Sequence, residues 1–129
     1  MALSEAAVGV DIERMRPLDR VERVAVAALS ADELEAWRDS SGDRAERFLR
    51  LWTRKEALLK AIGTGLRESP RQVIFDEHGR LIGAPTAAGD IAAWAVGDVE
   101  TGDPLLVASV AVCRPGATLR IEASTPVIR

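Results

Sequence analysis

Trp52–Gly65 reads WTRKEALLKAIGTG, and the rest of the chain is organised around it. Apolar residues fall at Phe48, Leu51, Trp52, Leu59 and Ile62, close to helical spacing. The pattern predicts a long helix over Asp43–Ile62, stopped by Gly63 and Gly65. Glu56 and Lys60 sit four residues apart and share a face about 40° wide, whereas Lys55 points about 100° away from Glu56. Taken alone, Glu56 and Lys60 read as a surface pair worth roughly 0.2–0.5 kcal/mol. Arg44, Arg47, Arg50 and Arg54 recur at spacings of three or four along the same helix. They form either a solvated face balanced by Asp43 and Glu46 or a docking stripe for an acidic partner.

The start of the chain changes the weight of Glu56. Val8-Gly-Val-Asp-Ile-Glu13 alternates cleanly, which predicts a strand with one buried face. Val8, Val10 and Ile12 point one way; Gly9, Asp11 and Glu13 point the other. Asp11 and Glu13 lie roughly 6.5–7 Å apart along such a strand and repel unless a cation sits nearby. They are either solvated acids or half of a divalent-cation site. Gly9 leaves room for another backbone or a ligand.

Between and after these elements the signals are local. Leu18–Leu29 is an apolar-basic helical segment, and Ser30-Ala-Asp-Glu33 is a capping box for a short helix to about Trp37. Gln72–Phe75 and Arg80–Ile82 read as a hairpin around the turn Asp76–Gly79. His78, the only histidine, sits at its exposed tip and reads as a turn residue rather than a base. Ile91–Val99 and the apolar run Leu105–Cys113 predict two more strands, the second central, and Thr118–Glu122 an edge strand. One strand, then helices, then antiparallel strands is an α+β pattern.

At 129 residues the chain is expected to form a single domain, 1–129. A net charge of −3 and no interleaving of basic and aromatic residues argue against nucleic acid as partner. No apolar run reaches the roughly 18–20 residues that span a bilayer, and MALSEAAVG lacks a signal-peptide pattern. With a single cysteine, Cys113, read as a small buried thiol, a cytoplasmic location is the expectation. Three carboxylates from strand and helix would suit Mg²⁺, and Lys55 and Lys60 add point charges suited to phosphate.

GVDIE at Gly9–Glu13 followed by WTRKEALLKAIGTGL at Trp52–Leu66 resembles the two signature motifs of the 4′-phosphopantetheinyl transferases. The resemblance implies an antiparallel sheet packed against a long helix. It also implies transfer of 4′-phosphopantetheine from coenzyme A to a serine of an apo carrier protein, as in holo-acyl-carrier-protein synthases. Asp11, Glu13 and Glu56 match the Mg²⁺ ligands, and Glu56 also the group that activates the serine hydroxyl. Lys60 matches a lysine on the CoA phosphates, and Lys55 one near the diphosphate with a role in proton transfer. Trp52 matches a packing position.

Surfactin-type members resemble two fused half-domains, and this chain resembles the second half alone. The resemblance therefore implies a site completed by self-association or by a separate first-half partner. Arg14, Arg16 and Arg20 are then candidates for CoA phosphate or an acidic carrier. A non-catalytic subunit that binds CoA or carrier is the competing expectation.

Overall fold

The long helix forms where its caps say it should. In the computed structural model, which describes residues 7–63 and 68–113, α3 spans Arg44–Ile62. The Asp43 carboxylate accepts from the amides of Ala45 and Glu46, so this acid caps the helix rather than balancing the arginines. Gly63 ends it with φ 74°, and its N–H returns to the carbonyls of Leu59 and Lys60. Before it come β1 (Ala7–Arg14), α1 (Val21–Ala28) and α2 (Ala31–Asp39). After it come β2 (Ile74–Phe75), β3 (Leu81–Gly83), β4 (Trp94–Val99) and β5 (Leu106–Cys113). Gly65 and Thr118–Glu122 lie outside the described residues.

Local chemistry explains where the elements differ from the sequence pattern. The strand expected from Ile91 starts only at Trp94, because the Asp90 carboxylate caps a 3-10 turn over Ile91–Ala93. The strand expected from Gln72 is shortened to Ile74–Phe75 by a second such turn, Pro70–Gln72, capped by Ser69. The Ser30/Glu33 capping box forms in full. β5 is central in an antiparallel sheet of order β1-β5-β4, and β2-β3 make a separate hairpin. His78 is exposed in the hairpin turn, where its backbone N–H donates to Asp76.

α3 lies across one face of the sheet. One apolar cluster joins Ala57, Leu58 and Leu59 of α3 to Val73, Phe75 and Ala111, with Trp94 and Val96 against it. A second joins α1 and α2 to Phe48, with Trp52 stacked on Phe48 at a centroid distance of 6.0 Å.

The sheet face under α3 is not the one alternation suggested. Register pairs Gly9 with Ala111, Asp11 with Ser109 and Glu13 with Val107, and this row faces the helix. Asp11 is buried, whereas Val8 is 59% exposed and Val10 and Ile12 are only partly covered. The polar face packs inward for two reasons. Gly9 lets the α3 backbone come close, and polar partners meet the acids there.

Candidate functional site

Asp11 sits mid-strand in β1, buried beneath α3. Lys60, in the last turn of α3, places its Nζ 2.6 Å from Asp11 Oδ1. The other oxygen, Oδ2, is buried with no hydrogen-bond partner among the described residues. A buried carboxylate oxygen left without a donor is costly and points to a missing positive group. Glu56, one turn before Lys60, is partly buried near the same acids. Burial pushes its carboxyl above the usual range; the Asp11 charge adds to this, Lys60 opposes it, and Glu13 adds further. Glu13 lies two residues on from Asp11, 24% exposed, with Arg16 Nη1 3.5 Å away.

Asp11, Glu13, Glu56 and Lys60 therefore share one patch between β1 and α3. Among the described residues, no group of three His, Cys, Asp or Glu side chains is close enough to hold a metal ion as it stands. The donor chemistry nevertheless fits a hard cation: three carboxylates at one helix–sheet junction, one of them with an orphaned buried oxygen.

Lys55 and Arg14 do not join the patch. Lys55 is completely buried; its Nζ donates to Glu33 Oε1 at 2.7 Å, to the Pro70 carbonyl at 3.0 Å and to the Val73 carbonyl. Desolvation holds its ammonium below the usual lysine pKa, and Glu33 opposes this. The Glu33 carboxylate also accepts from Ser30 N and Phe75 N, so it ties α2, α3 and β2 together. Arg14 shares its sheet face with Val10 and Ile12, opposite Asp11, and its side chain is exposed.

The arginine stripe is mostly satisfied within the chain. Arg44 pairs with Glu22 and lies 4.4 Å over the Trp37 ring, and Arg50 pairs with Glu46. Arg54 makes a two-pronged contact to Asp98 at 2.8 and 2.9 Å. Arg47 is exposed and makes no ion pair among the described residues.

Sequence reasoning missed a polar bridge beside the patch. Thr53 Oγ1 and Ser109 Oγ meet at 2.9 Å, both fully buried. Ser109 stands in register between Asp11 on β1 and Asp98 on β4, so one polar row crosses the sheet under α3. The polar Ser109 inside the apolar run Leu105–Cys113 was the available signal.

A sequence model of the 4′-phosphopantetheinyl transferase superfamily matches residues 7–108. The chain belongs to this superfamily. It is 36% identical over 76 residues to a putative 4′-phosphopantetheinyl transferase of Synechocystis, covering 58% of this chain and 31% of that protein. It is 38% identical over 66 residues to a 4′-phosphopantetheinyl transferase of Bacillus pumilus, covering 50% of this chain and 28% of that one. The matched part is thus under a third of the length of these curated transferases. The fold is similar to Thermotoga maritima holo-(acyl-carrier-protein) synthase, with a TM-score of 0.65 at 22% identity, over 84% of this chain and 62% of that one. It is also similar to the Bacillus anthracis holo-(acyl-carrier-protein) synthase solved in complex with CoA, with a TM-score of 0.56 at 22% identity, over 84% and 95% of the two chains. These likenesses establish the transferase-type α+β fold. Among the described residues, no helix is long and apolar enough to cross a membrane.

Proposed function

We propose that this chain transfers 4′-phosphopantetheine from CoA to a serine of an acidic apo carrier protein, with Mg²⁺ held by Asp11, Glu13 and Glu56. The reading rests chiefly on the buried Oδ2 of Asp11, unpartnered among the described residues, beside a half-buried Glu56. The serine oxygen attacks the β-phosphorus of the CoA diphosphate, and the bond to the departing adenosine 3′,5′-bisphosphate breaks. Glu56 takes the serine proton, directly or through a water. Lys60 reaches the diphosphate from the same helix face. When bound, the cation supplies charge stabilisation to the diphosphate as its P–O bond breaks. Lys55 exchanges no proton in this reading, because Glu33 and two backbone carbonyls already occupy its three donors.

The assembly is part of the proposal. Val8, Val10 and Ile12 share their sheet face with Val110, Val112 and Ala95. Among the described residues none of these six belongs to either apolar cluster. An apolar sheet face of this kind suits a second copy of the chain or a first-half partner. The short span of the match to the two transferases leaves a second reading open, a subunit that binds CoA without turnover.

The test is the intact mass of an apo carrier protein incubated with this chain, CoA and Mg²⁺ over a range of chain concentrations. A gain of one phosphopantetheine, rising more steeply than linearly with chain concentration, is the expected result. No gain with several carriers at high concentration contradicts stand-alone catalysis, and CoA binding without a gain favours the second reading. Glu56→Gln is expected to lower the rate by roughly 10²–10⁴-fold. Its stability should move the other way. A carboxyl with a raised folded pKa contributes stability at low pH and loses it as pH rises through that pKa. Metal-free Glu56→Gln should therefore match wild type in acid and exceed it in thermal stability at neutral pH.

A further inference from the structure

We infer that Lys60 is a placeholder for the cation: with none bound its ammonium neutralises Asp11, and it must leave Asp11 for the cation to bind. The inference rests on the metal-site reading above and adds a competing state to it. Asp11 has a side chain only 5% exposed, and an ionised carboxylate in that position needs a positive partner. Lys60 Nζ meets one oxygen at 2.6 Å, and the other has no hydrogen-bond partner among the described residues, so the compensation is incomplete. The lysine can move away. Its side chain is 52% exposed on a flexible four-carbon stem, so its ammonium can swing back into water when a cation takes over its role at Asp11.

Lys55, five residues earlier, shows the opposite design: fully enclosed, with every donor used. One lysine of the motif is locked and the other is free to exchange. An ammonium and a dication cannot both sit against Asp11 without strong repulsion. An anion that draws Lys60 outward therefore makes cation binding easier, and by linkage the cation makes anion binding easier.

The test uses Mn²⁺ alone, its free-ion electron paramagnetic signal reporting how much is bound to wild type, Lys60→Met, Lys60→Gln and Asp11→Asn. Both Lys60 variants should bind Mn²⁺ at least about fivefold more tightly than wild type, and Asp11→Asn should lose binding. Two Lys60 variants guard against a folding defect peculiar to one. Unchanged or weaker Mn²⁺ binding in both, with Asp11→Asn still defective, overturns the placeholder and leaves the metal site standing. Wild-type binding by Asp11→Asn, or no binding by wild type and the Lys60 variants alike, overturns the metal site and the placeholder together.

Discussion

Lys55→Met should destabilise the fold by about 3–5 kcal/mol, the cost of stranding one member of a buried ion pair. The ammonium is wholly buried and its partner Glu33 is 6% exposed. Removing it leaves a buried carboxylate without its cation and two carbonyls, those of Pro70 and Val73, without a donor. Native domains carry about 5–15 kcal/mol in all, so the loss is a large fraction of the total. Urea unfolding of the single variant and of Lys55→Met/Glu33→Gln measures it. The double variant should recover part of the loss, because its remaining partner is neutral. It should also keep the shape of the wild-type pH–rate profile, since Lys55 carries no proton in the reaction. Wild-type stability with a lost limb of the pH profile would return Lys55 to proton transfer.

Gly9→Ala is expected to damage fold and activity together. A Cβ at Gly9 would lie 2.0 Å from the Ala57 carbonyl oxygen and 2.5 Å from the Ala61 amide nitrogen. Both contacts are helix backbone, so no side-chain rotation relieves them; α3 must lift off β1. Overpacking of this kind costs typically 1–3 kcal/mol, and a backbone clash belongs at the upper end. The lift also moves Glu56, just before the contact span Ala57–Ala61, and Lys60, within it, away from Asp11. The transfer rate should therefore fall further than the folded fraction does, as read by urea midpoint and initial rate on one preparation. An unchanged midpoint and rate would mean that the close approach does not hold the site together.

What the sequence made legible was whatever had a local cause. The Ser30/Glu33 capping box, the Gly63 stop and the Asp76–Gly79 turn are set within a few residues, and each forms where it was read. The facing of β1 was not legible. Alternation distinguishes two faces of a strand but not which one a helix covers, and Val8, Val10 and Ile12 looked like the obvious inner face. Gly9 was the clue: a missing side chain permits the close helix–strand contact that turns the acids inward. Glu33 stayed hidden because its capping role already explained it, although its carboxylate also meets Lys55 and Phe75 N from distant parts of the chain. The partners of Asp98 and Ser109 could not be read either, because they lie on α3, 44 and 56 residues away; the break that Ser109 makes in its apolar run was the only local sign.

The claim at the centre is that the β1 acids and α3 Glu56 hold one dication against the CoA diphosphate. Calorimetry of CoA with and without Mg²⁺, on wild type and Asp11→Asn, tests it most directly. Mg²⁺ should tighten CoA binding to wild type and leave its binding to Asp11→Asn unaltered. Equal CoA affinity with and without Mg²⁺ in wild type, or a full Mg²⁺ effect in Asp11→Asn, would contradict it.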